Sequence, residues 1–183
     1  MEFIETPLQG LYLIHHKILK DERGLFARTF CKEEFKKIGF EKEFVQFNHS
    51  FNLLKGTVRG MHFQNCPFSE TKLIRCIQGK VYDVAVDIRR NSPTFLQYFA
   101  VELSDENMFS ILIPEGFAHG FQTLEENAAL IYHHTQFYTS SSDAGLRYDD
   151  KALGIKWQLP STNVSEKDKN YKLIDENFKG LII

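Results

Sequence analysis

From Phe44 to Tyr138 the chain is a run of short β-branched or aromatic segments closed by turn residues, a pattern that leaves few folds open. "FVQFNHSF", "TVRGMHFQ", "KLIRCIQ", "VYDVAVDIR", "FLQYFAVEL", "MFSILIP", "GFQTL" and "ALIYHHTQFY" are separated by "LLKG", "NCPFSE", "QGK", "RNSPT", "SDEN", "PEGFAHG" and "EEN". Upstream, "LYLIHHKIL" and "LFARTF" flank a "DERG" turn. "CKEEFKKIGF" carries Phe35 and Ile38 three apart before Gly39, the spacing of one short helix. So many short strands predict an all-β sandwich or barrel of the jelly-roll kind, with a few short peripheral helices. The polar tail from "STNVSEKDKNYKL" adds at most one helical turn. With no repeat and no linker, one domain is expected over 1–183. Seventeen Phe and seven Tyr supply a core that needs no staples.

A net charge of −2 suggests neither a nucleic-acid surface nor an anionic membrane, so an anionic ligand must be met by a local cluster of Arg, Lys and His. The three cysteines, Cys31, Cys66 and Cys76, lack a framework spacing and read as small core residues. "MEFIETPLQG" has no basic start and no apolar run, which predicts a reduced, soluble, cytoplasmic protein.

Polar residues recur where such strands should be apolar. In "TVRGMHFQ", alternation puts Val58, Gly60, His62 and Gln64 on one side and turns Arg59 away. A bulge at Gly60 would let Arg59 and His62 face one cavity; a structural glycine beside a core histidine explains the octapeptide equally well. Gln46 and Asn48 share a face of "VQFNHS", and Asp83 and Asp87 a face of "VYDVAVD". Lys72 opens a strand, and His119 falls between a turn and a strand. Leu130, Tyr132, His134, Gln136 and Tyr138 alternate onto one side. A barrel would gather these groups around one mouth, where a bound anion would partner the cations. A metal is not expected: His62 lacks a second histidine two residues on, and the adjacent His133 and His134 face opposite sides. No G-x-S-x-G, Walker loop or G-x-G-x-x-G occurs.

In order, "DERG", "VQFNHS", "TVRGMHFQ", "KLIRCIQGKVYDVAVDIRRNSPTF", "VELSDEN", "IPEGFAHGF", "YDDKALGIKW" and "SEKD" resemble the dTDP-4-dehydrorhamnose 3,5-epimerase family from about Pro7 to Asp168. The resemblance implies a metal-free cupin jelly roll, dimeric through exchanged strands, that inverts C3 and C5 of a nucleotide-linked 4-keto-6-deoxyhexose in deoxysugar synthesis. Both carbons flank the carbonyl, so the chemistry needs a base on one face, an acid on the other and a cation near the keto oxygen, without a cofactor.

By the same resemblance His62 is the base, Asp168 the carboxylate that orients it, Tyr132 the acid and Lys72 the cation. Arg23, Arg59 and His119 fit the groups around sugar and diphosphate, Gln46 and Asn48 the lining, and Phe26 and Tyr138 the aromatics that hold the nucleoside. From sequence alone Asp168 reads as a solvated residue of a charged tail. Two positions depart from the family pattern: His133 replaces a lysine, and Arg28 stands where thymidine-using members carry glutamate. Arginine has donors only, so Arg28 suits a base that presents acceptors, and a CDP-linked sugar is an alternative substrate. The same scaffold also admits a single-centre epimerase and a metal-dependent cupin oxygenase. A silent nucleotide-sugar binder would be expected to lose His62 or Asp168, and both are present.

Overall fold

The computed structural model describes residues 1–183. The first half contains β1 (Glu2–Glu5), β2 (Tyr12–His15), β3 (Ile18–Asp21), β4 (Gly24–Ala27), helix α1 (Lys32–Phe35), β5 (Gln46–Asn52), β6 (Thr57–Gln64) and β7 (Lys72–Gln78). There follow β8 (Lys80–Asp87), β9 (Tyr98–Ser104), β10 (Phe109–Ile113), β11 (Phe117–Thr123), β12 (Ala128–His134), β13 (Asp143–Gly145), β14 (Asn163–Val164) and helix α2 (Glu166–Lys169). One sheet has the order β1-β2-β10-β7-β12-β5. A second has β13-β6-β11-β8-β9, with β14 on the β6 edge, and β3-β4 form a separate ribbon. Every strand pairing is antiparallel except that of β14 with β6. This is the all-β, jelly-roll architecture the segment pattern predicts, with helix confined to short turns.

Between the sheets lies a core of Ile74, Cys76, Ile111, Ile113 and Leu130 from one side and Val81, Ala85, Leu103, Phe117 and Phe121 from the other. β8 carries apolar residues on both faces for a reason. Val81 and Ala85 point into this core, while Val84 and Val86 pack outward under Trp157, Ile174, Phe178 and Leu181. The polar tail therefore covers a sheet. On the outer face of the first sheet, fully buried Phe35 fills a cluster with Ile14, Leu73 and Leu112, its ring edge-on to Phe3 at 5.1 Å. α1 continues as a 3₁₀ turn over Lys36–Ile38 and stops at Gly39, whose φ of 76° is the left-handed cap the sequence foreshadows.

Several local readings differ. "LYLIHHKIL" is two strands, because His16 turns inward to bond Ser110 (Nε2–Oγ 2.7 Å) and the chain leaves the sheet to form the ribbon. His119 lies within β11, every residue of which is buried between β6 and β8, rather than between a turn and a strand. β12 ends at His134, so Gln136 and Tyr138 fall outside the alternation. Of the cysteines only Cys76 is a core residue, its thiol pushed up to about 12 by burial. Cys66 is exposed and Cys31 half-buried. No helix is long and apolar enough to cross a membrane.

Candidate active site

β6 explains its own glycine. His62 pairs with His119 and Arg59 with Phe121, so three steps on β6 match two on β11: the strand carries one extra residue at Gly60–Met61. Arg59 and His62 consequently look into the same cavity. Gly60 has a φ of 124°, and a Cβ there would lie 2.5 Å from the Gly120 Cα and 2.8 Å from the His119 carbonyl oxygen.

The partner of His62 arrives from the tail. β14 runs parallel to the start of β6, and Ser165 then caps α2 by accepting the Asp168 N–H at 3.1 Å. The Asp168 side chain points to β6: Oδ1 lies 2.7 Å from His62 Nε2, and Oδ2 accepts the Gly60 N–H at 3.1 Å. Asp168 is 2% exposed, correcting the reading of a solvated tail residue. Burial pushes its carboxyl up, but the bonds from His62 and Gly60 outweigh that and hold it below the usual carboxylate range. The carboxylate takes the Nε2 proton, so Nδ1 is the nitrogen of His62 left to accept one.

A cavity of about 250 Å³ is lined by His62, Arg59, Lys72, His119, Tyr132 and His134 together with Asn48, His49, Ser50 and Phe121. Tyr132 stands between two histidines, edge-on to His119 and stacked on His134, each at 6.0 Å between ring centroids. Burial holds its phenol above the ordinary value, so it keeps its proton at neutral pH. His119 donates from Nε2 to Asp83 at 2.9 Å, and burial lowers its affinity for a second proton. Arg59 is steadied by Asn52 (Nε–Oδ1 2.6 Å), and Lys72 lies 3.2 Å from Glu70 Oε1. No three His, Cys, Asp or Glu side chains are placed to share a metal ion. The arrangement offers a base, a protonated phenol and two cations around one small cavity.

The structure thus brings His62, Asp168, Tyr132, Lys72, Arg59, His119 and Asn48 together. Gln46 stands one step back, bonded to Asn48. Four expected site residues are elsewhere. Arg23 is paired with Asp21 at the tip of the β3–β4 ribbon, and Phe26 on the same ribbon is 69% exposed. Arg28 is engaged by Glu34 at 3.0 Å, away from the cavity of its own chain. Tyr138 is exposed and bonds Asp143. Sequence reasoning assigned no role to Asp83, Glu70 or His134. The inward alternation of Asp83 was a visible signal, whereas Glu70 precedes its strand and carried none.

Fold and site define the class: a cupin-type jelly roll whose cavity is equipped for proton abstraction and return, an isomerase of the epimerase kind. The model of the dTDP-4-dehydrorhamnose 3,5-epimerase family matches residues 5–176, and the chain belongs to that family. It is 41% identical over 180 residues to the dTDP-4-dehydrorhamnose 3,5-epimerase of Shigella flexneri, covering 97% of this chain and 99% of that one. The Bacillus anthracis enzyme, solved with TDP and pyrophosphate, superposes with a TM-score of 0.92 at 39% identity over 94% of this chain and 99% of that one. The Legionella pneumophila epimerase, solved with dTDP-4-keto-L-rhamnose, also gives 0.92, at 38% identity over 100% and 98% of the two chains.

Proposed function

We propose that this enzyme inverts C3 and C5 of a dTDP-linked 4-keto-6-deoxyhexose. His62 Nδ1 removes the proton next to the keto group, the electron pair moves into the C4 carbonyl, and the enolate oxygen is met by the Lys72 ammonium. Tyr132 returns a proton to the opposite face of the same carbon, and both groups re-equilibrate with solvent before the second centre reacts. Asp168 keeps the proton of His62 on Nε2 and stabilises the imidazolium that forms. Arg59 and His119 receive the sugar and diphosphate. The observation that carries this reading is the His62–Asp168 couple sharing one cavity with a protonated Tyr132. That dTDP is the nucleotide is supported by what the solved relatives hold.

The reading extends to assembly. The chain acts as one cupin domain over 1–183, in the cytoplasm, as a homodimer. The ribbon exposes Leu19, Leu25 and Phe26 beside Arg23, and such an edge is suited to a second copy. Arg23, Phe26 and Arg28 would then serve the partner's cavity, which accounts for their distance from their own.

The test is deuterium incorporation from solvent into dTDP-4-keto-6-deoxyglucose, followed by NMR. Label is expected at both C3 and C5 with the wild type and at neither with His62→Asn. No exchange by wild-type enzyme that binds the substrate would refute the reading.

A further inference from the structure

Behind Lys72 lies a carboxylate with no part in the proton transfers, Glu70, at one end of a chain of hydrogen bonds. At the other end the Tyr138 backbone N–H, which can only donate, bonds Gln46 Oε1 at 3.0 Å. That fixes the Gln46 carboxamide, whose Nε2 donates to Asn48 Oδ1 at 3.3 Å. Asn48 must then present Nδ2 to His134 Nε2, 3.2 Å away, so this nitrogen accepts and the imidazole proton resides on Nδ1. Nδ1 in turn donates to Glu70 Oε2 at 2.8 Å, and Glu70 Oε1 receives Lys72 Nζ at 3.2 Å. One backbone donor thereby sets the polarity of every bond in the chain. Lys72 has a second acceptor in the His62 carbonyl at 3.4 Å, leaving one N–H for a ligand oxygen. Glu70 does not line the cavity, but both residues it binds do.

We propose that Glu70 is a positioning residue for the epimerisation, its carboxylate closing a directional relay from Tyr138 through Gln46, Asn48 and His134 and anchoring the Lys72 ammonium. The two ends serve different steps. Lys72 meets charge that develops only as the enolate forms, so its anchor acts on kcat. Asn48 and His134 line the cavity that receives the substrate, so the order of the relay acts on KM. Burial pushes the Glu70 carboxyl up, and the His134 bond with the Lys72 charge more than reverses this, keeping an acceptor at both ends. An amide at position 70 could still accept from Lys72, but its NH₂ would face His134 Nδ1. The imidazole proton would have to move to Nε2, Asn48 would have to turn, and Gln46 would have to turn its NH₂ onto the Tyr138 N–H. The conflict is relieved if position 46 becomes a carboxylate, which accepts from both neighbours.

The inference rests on the reading of Lys72 as the enolate's cation, and its test separates the two. Long-range ¹H–¹⁵N spectra of the wild type are expected to show His134 protonated on Nδ1 and bare on Nε2, with the pattern reversed in Glu70→Gln. A wild-type proton on Nε2 would overturn the relay whatever the activity. In kinetics on dTDP-4-keto-6-deoxyglucose, Glu70→Gln should lower kcat about tenfold and raise KM about threefold. Adding Gln46→Glu should bring KM back while kcat stays low. Unchanged kcat and KM in Glu70→Gln, or a double variant whose KM is no better than the single one, would refute the proposal. An inactive wild type with the expected tautomer would instead condemn the functional reading and leave the relay standing.

Discussion

His62 and Asp168 are 106 positions apart in the chain and 2.7 Å apart in the fold. The carboxylate is committed at both oxygens, one to His62 Nε2 and one to the Gly60 N–H. Asp168→Asn cannot satisfy both donors, because one of its two ends is itself a donor. It is expected to lower kcat about a thousandfold or more with a well-folded protein, as the proposed base loses its tautomer; steady-state assay with a circular dichroism check decides this. The same group makes stability depend on pH. Its folded pKa lies below the ordinary 3.8, so the unfolded chain binds the proton first as pH falls. The stabilisation is complete above about pH 5 and disappears as pH drops through 3.8 to the depressed folded value. Denaturant unfolding at a series of pH values should therefore show the wild type's advantage over Asp168→Asn shrinking below that point. At this scale strand alternation gave only the side of the strand that His62 and Tyr132 occupy, and the roles proposed for them and for Lys72 came from family resemblance. Asp168 was legible only through family resemblance, since nothing local in "SEKDK" announces burial.

The element that decides the site is β6. Its alternation argues that Arg59 and His62 diverge, and one extra residue at a glycine makes them converge. The two glycines Gly60 and Gly24 separate conformation from crowding, since both have φ near 125° but only Gly60 has backbone atoms where a Cβ would go. Gly60→Ala is expected to cost about 3 kcal/mol or more and to abolish turnover. Gly24→Ala should cost about 1–2 kcal/mol from its dihedral alone. Equal losses for the two in thermal or denaturant unfolding would show that crowding against β11 is not what the glycine relieves. The strand pattern itself was readable because period-two alternation is a local property. The misreading of His119 had a tertiary cause: β11 is buried on every residue, so its polar members mark a cavity wall and a buried carboxylate partner, where in an exposed segment they would mark a turn.

Across the whole molecule, the β3–β4 ribbon carries Arg23 and Phe26 away from the cavity they were expected to line. If the proposed dimer exchanges these ribbons, each cavity is made by two chains, and two inactive variants can complement. His62→Asn mixed with an Arg23→Ala, Phe26→Ala chain, unfolded and refolded together, should regain about a quarter of wild-type activity, since half of randomly paired dimers are mixed and each holds one intact site. Activity no greater than that of the separate variants, with dimers present by sedimentation, would place both functions on one chain.

What the sequence by itself determined is whatever follows from a side chain's neighbours along the strand: the all-β pattern, the short helix ended by Gly39, the shared side of Leu130, Tyr132 and His134, and a glycine in β6 that invites a bulge. Family membership was determined there too, because its motifs are contiguous. The tertiary structure alone decided which distant residues meet. It buried Asp168 under a polar-looking tail, joined Asp83 to His119 and Glu70 to Lys72, and sent the ribbon outward. Periodicity tells which side of a strand a group occupies, but partners come from sheet register and from what covers each face, and those depend on residues far away in the chain.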